Sequence, residues 1–135
     1  MQAETNEFTF HHIGLACHSL AAEIEAHESL GYVIEGTPFH DPLQRINGIF
    51  MVNGPIRIEL IEPAGEYSPV RNILTKGLKM YHQCFECTNI HKAISDLEAQ
   101  GARVIVSPTP AVVFNGRTIT FLMLRTLLIV ELIQV

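Results

Sequence analysis

Alternating apolar and polar residues recur in short runs along the chain, and two amphipathic segments interrupt them. Alternation with a period of two predicts strands, whereas apolar residues every three to four positions predict a helix. The first half is predicted to contain a strand at 8–17, a helix at 20–30 and strands at about 31–39, 46–52 and 56–62. The second half repeats this order with a strand at 79–87, a helix at 90–100 and strands at 102–107, 117–124 and 127–134.

Both predicted helices carry start and stop signals. Ser19 and Asn89 stand where an N-cap side chain accepts a hydrogen bond from the first turn. Gly31 and Gly101 follow the last helical residues, where glycine commonly ends a helix. These four residues therefore predict the same helix boundaries in both halves.

The sequence itself repeats. HIGLACHSLAAEIEAHESLGYVI, from His12, aligns with HQCFECTNIHKAISDLEAQGARV, from His82, at an offset of 70 residues. IRIELIEP aligns with LIVELIQV at an offset of 72 residues, which pairs Glu59 with Glu131. We therefore expect a single α+β domain over 1–135 of two tandem βαβββ modules, at about 8–63 and 79–135, with a linker at 64–78 that includes a helical turn at 69–75.

Strand alternation assigns the side chains to faces. In the first strand, one face carries Phe10, His12, Gly14 and Ala16, and the other carries His11, Ile13, Leu15 and Cys17. The second copy places Met80, His82, Cys84 and Glu86 opposite Tyr81, Gln83, Phe85 and Cys87. If the helices cover one face of a curved sheet, four polar side chains lie together on the other face: His12, Glu59, His82 and Glu131.

A carboxylate in the apolar run TLLIVELIQV needs a partner, because burial of an unpaired charge is costly. Two imidazoles and two carboxylates suit a divalent ion such as Zn, Ni, Co, Mn or Fe(II). Taken singly, each histidine is more simply a hydrogen-bonded core residue and each glutamate an edge residue. Their equivalent repeat positions favour a metal site. Glu86 is a candidate for a supporting contact. The remaining histidines lack this symmetry and receive no ligand role: His11, His18, His27, His40 and His91.

Composition narrows the choice of partners. The formal net charge is −5, and the sequence has no basic run, which argues against nucleic acid and anionic membranes as partners. The apolar C-terminal tract is too short to span a bilayer, and the N-terminal MQAETNEFTF lacks the apolar core of a signal peptide. The three cysteines have no zinc spacing and suit the core of a protein in the reducing cytoplasm.

Several stretches resemble the vicinal oxygen chelate superfamily, closest to its methylmalonyl-CoA epimerase-like and glyoxalase I-like members: FHHIGLAC, RIELIEP, SPVRNILTKG, YHQCFEC, NGRTITFL and VELIQ. The resemblance covers 10–134 and implies one curved mixed sheet around a central cleft, a homodimer and a small-molecule substrate. Glyoxalase I holds its metal with His, Glu, His and Glu in this chain order. The resemblance thus gives these roles to His12, Glu59, His82 and Glu131.

The chain departs from the similar epimerases in two places. Those epimerases place an additional glutamate before the third strand of the first module, where this chain has Leu43 or Gln44. The segment LMLRTLLIVEL also lacks their Gly-rich turn. Both departures indicate a substrate that is related to methylmalonyl-CoA but distinct from it.

We therefore expect a metal-dependent isomerase, epimerase or glyoxalase-like lyase. It would transfer a proton α to the carbonyl of a small acyl thioester, hemithioacetal or 2-oxo compound. Glu131 is the first choice for the catalytic group and Glu59 the second, while Arg57 is the candidate for binding a substrate carboxylate or phosphate. Two alternatives stay open. One is a non-catalytic binding protein for an antibiotic or metabolite, and the other is an Fe(II) dioxygenase, which the filled position at Glu59 disfavours.

Overall fold

The computed structural model describes residues 7–135, so residues 1–6 of the expected domain and of the segment MQAETNEFTF lie outside the described residues. The described chain forms eight strands and three α-helices: β1 (Phe8–Ala16), α1 (Leu20–Glu28), β2 (Val33–Asp41), β3 (Ile46–Asn53), β4 (Ile56–Pro63), α2 (Val70–Thr75), β5 (Met80–Cys87), α3 (Ile90–Ala99), β6 (Arg103–Pro110), β7 (Thr118–Met123) and β8 (Ile129–Gln134). Among these helices, none has the length and apolar character needed to cross a membrane.

All eight strands form one sheet in the order β2-β3-β4-β1-β5-β8-β7-β6. Each half therefore places its first strand at the centre, where β1 and β5 pair antiparallel. β1 pairs parallel with β4 and β5 pairs parallel with β8, while the remaining pairs are antiparallel. The predicted α+β fold with a single curved mixed sheet is confirmed.

Helices α1 and α3 cover one face of the sheet, each over its own half. Under α1 lie the apolar side chains of β1, β3 and β4, and under α3 lie those of β5, β7 and β8. The predicted caps are present, because Ser19 Oγ accepts a hydrogen bond from Ala22 N and Asn89 Oδ1 accepts one from Lys92 N. Gly31 and Gly101 follow these helices with φ of 91° and 97°, a backbone conformation that favours glycine.

The opposite face forms the cleft between the two halves. Near α2 its side chains form a cluster that we call the α2 cluster: Ala16, Ile46, Ile61 and Val70. A second group, the aromatic plug, is centred on Phe50 and Phe114. The short 3₁₀ helix Val112–Phe114, which the alternation pattern does not predict, brings Phe114 to this position.

A β-bulge in β1 changes the predicted faces. Phe10 pairs with Phe85 and His12 pairs with Cys84, so His11 is an extra residue between two paired positions. As a result, Phe10, predicted on the cleft face, packs edge-on against Phe85 with ring centroids 5.7 Å apart on the side that α3 covers. The prediction for Phe10 was wrong, because a bulge interrupts the alternation of side chains.

The second copy contains a corresponding irregularity in β5. Gly14 pairs with His82 and Leu15 pairs with Met80, which leaves Tyr81 as the extra residue. Tyr81 was predicted on the helix-covered face, but its ring packs against the α2 cluster in the cleft. His11 and Tyr81 are 70 residues apart, so the two irregularities occupy equivalent positions of the repeat.

Candidate metal centre

Four polar side chains meet at the centre of the sheet, one from each of its four central strands. β1 supplies His12, β4 supplies Glu59, β5 supplies His82 and β8 supplies Glu131. All four are buried, with exposed fractions from 0% to 4%. One donor atom of each side chain lies within 4.8 Å of the others, so the predicted convergence is present in the structure.

The two imidazoles face both carboxylates through their Nε2 atoms. His12 Nε2 lies 3.0 Å from Glu59 Oε1 and 3.4 Å from Glu131 Oε1. His82 Nε2 lies 3.5 Å from Glu59 Oε1 and 3.2 Å from Glu131 Oε1. The two Nε2 atoms are themselves 3.2 Å apart. Donors that bind one ion at about 2.0–2.2 Å have neighbours at about 3.0–3.5 Å, so these separations fit a single ion.

Glu131 supplies a second observation that fits a cation. Its Oε1 atom is buried and, although it lies 3.2 Å from His82 Nε2, it makes no hydrogen bond of regular geometry within residues 7–135. A buried carboxylate oxygen is stable only when it is paired, protonated or bound to a cation. The donor set of two imidazoles and two carboxylates therefore fits a divalent ion of borderline hardness, as the sequence predicts.

The charges in the cluster support the same interpretation. Burial alone would raise the pKa of Glu131, but His12 and His82 outweigh this effect and lower it to about 2. Burial likewise opposes ionisation of Glu59, yet the same two histidines hold its pKa below the ordinary value. Both carboxylates are therefore ionised at neutral pH, and together they require two positive charges.

The histidines respond in the opposite direction. Burial would lower the pKa of His12, but Glu59 and Glu131 outweigh it and raise the pKa to about 9. The pKa of His82 is raised against burial by the same carboxylates. The cluster thus attracts positive charge strongly enough to hold protons on buried imidazoles, and a divalent cation can replace these protons.

An apolar cleft of about 210 Å³ lies between the centre and α2, and Val70 and Ile73 of α2 line it. Tyr81 and Phe121 line it and also pack edge-on against the His82 ring, with centroids 4.6 and 5.2 Å away. Its remaining wall is largely aliphatic, with Leu43 and Gln44 at the positions where similar epimerases are expected to carry a glutamate. Among the described residues that line this cleft, none is a carboxylate.

A second cleft of about 560 Å³ lies on the other side of the centre, beyond the aromatic plug. It contains Arg57, which shares the face of Glu59 as predicted. The guanidinium of Arg57 donates hydrogen bonds to Glu35 Oε1 at 2.9 Å and to the carbonyl of His11 at 3.1 Å. The predicted substrate-binding arginine is therefore near the centre, and its donors already have partners within the chain.

His11 was predicted to lie on the face opposite His12 and was given no role at the centre. In the structure it contacts His12. The bulge brings its Nδ1 atom to 2.7 Å from Nδ1 of His12. The adjacent histidines in FHHIGLAC are the only sign of this contact in that stretch, and regular strand alternation places their side chains on opposite faces. Glu86, predicted as a supporting residue, instead lies 3.3 Å from Arg117 Nη1.

The other histidines lie away from the centre. His27 on α1 contacts the Glu23 carbonyl at 2.9 Å, and His40 on β2 contacts Asn47 Oδ1 at 2.8 Å. His18 and His91 are exposed. The cysteines are free and buried, as predicted for core residues: Cys17, Cys84 and Cys87.

Comparison with known proteins agrees with this architecture. The model of the glyoxalase/bleomycin resistance protein/dioxygenase superfamily matches residues 11–121. The ethylmalonyl-CoA/methylmalonyl-CoA epimerase of Cereibacter sphaeroides is 32% identical over 114 residues, which cover 82% of this chain and 84% of that protein.

Solved structures share the fold. The crystal structure of methylmalonyl-CoA epimerase from Mycobacterium tuberculosis has a TM-score of 0.80 at 18% identity and covers 98% of this chain and 92% of that one. A methylmalonyl-CoA epimerase in complex with methylmalonyl-CoA and NH4+ has a TM-score of 0.77 at 23% identity, with 96% and 95% of the two chains covered.

Proposed function

The chain belongs to the glyoxalase/bleomycin resistance protein/dioxygenase superfamily, and we propose that it is a divalent-metal-dependent epimerase that moves the proton α to the carbonyl of an acyl-CoA thioester. The observation that carries this proposal is the convergence of four buried donor side chains at the centre of the sheet. The relative from Cereibacter sphaeroides, an epimerase of acyl-CoA substrates, supports the reaction class.

The metal would be held by one imidazole and one carboxylate from each half: His12, Glu59, His82 and Glu131. When bound, the ion acts as a Lewis acid that stabilises the negative charge developing on the substrate carbonyl oxygen. The neighbouring thiol of Cys84 lies opposite His12 in the β1–β5 pair, and burial, together with Glu131 and Glu59, raises its pKa far above neutrality. Without a metal Cys84 is therefore a neutral thiol, although His11, His12 and Cys84 also bring donor atoms within 4.8 Å of one another.

The carboxylates supply the proton acceptor. Glu131 is the proposed catalytic base and Glu59 the second candidate, because both are buried in the central cluster and ionised at neutral pH. Their cationic neighbours keep their basicity low, so the acceptor must separate from these neighbours as it takes the proton. The same cluster must also return the proton, to the opposite face of the reacting carbon, since the described lining of the apolar cleft contains no carboxylate.

The apolar cleft supports an acyl group with an alkyl substituent at the reacting carbon. Its aliphatic walls would exclude water from the proton transfer, and Leu43 and Gln44 would contact this substituent. Because Leu43 or Gln44 stands where similar epimerases are expected to carry a glutamate, we propose an acyl-CoA related to methylmalonyl-CoA as the substrate. Hemithioacetals and 2-oxo compounds belong in the test panel.

Arg57 is proposed to bind an anionic group of the substrate. Its partly exposed ion pair with Glu35 is bidentate, so a substrate phosphate or carboxylate would have to take the place of Glu35 on the guanidinium. The variant Arg57→Gln should raise KM and leave kcat nearly unchanged.

The homodimer and the cytoplasmic location that the sequence indicates stay predictions.

The test is deuterium exchange in D₂O. Metal-reconstituted protein is mixed with ethylmalonyl-CoA, methylmalonyl-CoA, a hemithioacetal and a 2-oxo acid, and loss of the α proton is followed by NMR. Wild type should exchange the α proton of an acyl-CoA, and Glu131→Gln should lower the rate at least a hundredfold, because a general base contributes roughly 10²–10⁴. Glu98→Gln, on the exposed surface of α3, is the matched control.

Other outcomes assign other functions. Exchange that Glu59→Gln abolishes and Glu131→Gln preserves would make Glu59 the base. Tight binding of a small molecule without exchange would favour the non-catalytic binding protein, and consumption of dioxygen by the Fe(II)-loaded protein would favour the oxygenase. Absence of exchange with every member of the panel would overturn the proposal.

A further inference from the structure

The bulge in β1 gives His11 a contact with the metal centre. Residues that follow each other in a regular strand point to opposite faces, but the extra residue of a bulge is released from this rule. His11 lies between the paired residues Phe10 and His12. Its Nδ1 atom lies 2.7 Å from Nδ1 of His12, within the range of a strong hydrogen bond.

The position of His11 is fixed from several sides. Its ring packs edge-on against both members of the aromatic plug, with centroids 5.9 Å from Phe50 and 5.4 Å from Phe114. Its carbonyl accepts the hydrogen bond from Arg57 Nη1. Packing and main-chain contacts therefore hold the imidazole against His12.

The hydrogen-bond roles of the two rings follow from the orientation of His12. His12 points Nε2 at the carboxylates of the centre, so Nε2 is the atom available to a metal. A neutral imidazole that binds a metal through Nε2 carries its hydrogen on Nδ1. Nδ1 of His12 must then donate, and Nδ1 of His11 must accept.

The other half of the centre lacks this arrangement. Nδ1 of His82 is buried and makes no hydrogen bond within the described chain. Tyr81 occupies the repeat position equivalent to His11, and its ring packs edge-on against His82 without a hydrogen bond among the described residues. The pseudosymmetric centre therefore has one histidine with a supporting hydrogen bond and one without.

We propose that His11 is a positioning residue that fixes the tautomer and ring orientation of His12 and so raises the affinity of the centre for a divalent ion. This inference rests on the metal site of the proposed function. Supporting hydrogen bonds to metal-binding histidines typically change metal affinity by roughly 10–100-fold. We expect an effect in this range at His11.

The test separates the hydrogen bond from the packing. His11→Phe keeps a ring against the aromatic plug but removes the acceptor, whereas His11→Asn offers an amide oxygen close to the position of Nδ1. Zn²⁺ affinity is measured by competition with a chromophoric chelator, with His91→Phe on the exposed surface of α3 as the matched control. His11→Phe should bind Zn²⁺ 10–100-fold more weakly, while His11→Asn should stay within about threefold of wild type.

A spectroscopic readout distinguishes positioning from a general structural effect. In Zn²⁺-loaded wild type, ¹⁵N–¹H correlation spectra should show the His12 hydrogen on Nδ1 and protected from solvent exchange. In His11→Phe the same hydrogen should exchange faster, whereas His91→Phe should leave its exchange rate unchanged. Unchanged Zn²⁺ affinity in His11→Phe, or a His12 hydrogen on Nε2, would overturn the role of His11 and leave the proposed metal site in place. Failure of wild type to bind any divalent ion would overturn the proposed metal site and, with it, the inference.

Discussion

Gly14 on β1 lies directly opposite His82 on β5, and the His82 imidazole fills the space that a Cβ at Gly14 would need. Gly14 has no positive φ, so this position requires glycine for the close approach of the ring. The equivalent residue of the other copy, Cys84, lies opposite His12. Small residues across the central strand pair thus make room for both imidazoles.

Replacing Gly14 with alanine should displace His82. We expect Gly14→Ala to weaken Zn²⁺ binding at least tenfold and to lower the free energy of unfolding by about 1–3 kcal/mol, because the added methyl group overpacks the site. Chelator competition measures the affinity, and urea denaturation in EDTA measures the stability.

Gly54→Ala is the matched control for this substitution. Gly54 has a φ of 57° and open space around its Cα, so alanine there should cost about 1–2 kcal/mol through backbone strain alone. It should leave Zn²⁺ affinity unchanged. Equal Zn²⁺ affinity in wild type and Gly14→Ala would contradict the steric role of Gly14.

Asp41 joins the two halves at the end of the apolar cleft. Its buried carboxylate accepts hydrogen bonds from the backbone N–H groups of Leu43, Gln44 and Val112 at 3.0–3.1 Å. It also accepts one from Gln44 Nε2 at 2.9 Å. One side chain therefore holds the segment that lines the cleft against the 3₁₀ helix of the second half.

Asp41→Ala should lower the free energy of unfolding by about 1–3 kcal/mol, because it leaves partly buried N–H groups without their acceptor in the protein. Asp41→Asn keeps one carbonyl oxygen and should lose less. The exposed Asp96→Ala on α3 should change stability by less than about 0.5 kcal/mol. Urea denaturation measures all three, and a loss below about 1 kcal/mol in Asp41→Ala would rule out this role.

The repeat explains why the fold and the four donors could be predicted. The direction of side chains alternates locally along β1, β4, β5 and β8, and the equivalent positions of the two copies reinforced each assignment. His12 with His82, and Glu59 with Glu131, were therefore placed on one face without knowledge of how the strands pair. The capping residues likewise contact only residues in the adjacent turn of helix, so the local sequence was sufficient to predict them.

The bulges could not be predicted in the same way. They arise from the register between β1 and β5, whose residues are about 70 positions apart, and no local pattern specifies that register. Uniform alternation therefore misplaced Phe10 and Tyr81, and it left His11 on the wrong side of the strand. The walls of the apolar cleft depend on similar long-range pairings.

The three cysteines should be chemically inert in the folded protein. Burial, with Glu23 as a smaller cause, raises the pKa of Cys17 to about 11, and burial also raises the pKa of Cys84 and Cys87. Since the thiolate is the reactive form, Ellman's reagent at pH 8 should modify none of them within an hour. After unfolding in guanidinium, all three should react.

Ser107→Cys provides the positive control for thiol reactivity, because Ser107 is exposed on β6. This variant should react with one equivalent of the reagent while folded. Rapid modification of wild type under the same conditions would show that the interior around these thiols opens readily to solvent.

Protons and metal ions should compete for the centre, and this competition gives the protein a specific pH dependence. After treatment with a chelator, the pKa of His12 is about 9, above its ordinary value of 6.5, because Glu59 and Glu131 outweigh burial. A raised pKa means that the folded state binds the proton more tightly than the unfolded state. Its stabilisation is therefore fully present below pH 6.5 and is lost as the pH rises through 9.

We expect the free energy of unfolding of the chelated protein to fall by an amount on the order of 3 kcal/mol between pH 6.5 and 9. Urea denaturation at fixed ionic strength measures this change. His12→Gln should reduce the fall in stability, whereas His18→Gln, on the exposed surface, should retain it. Zn²⁺ affinity should change in the opposite sense and rise at least tenfold per pH unit up to pH 9, because each ion must displace a proton from His12 and, where His82 is protonated, from His82 as well. A Zn²⁺ affinity that is constant between pH 7 and 8 would show that His12 holds no proton for the ion to displace.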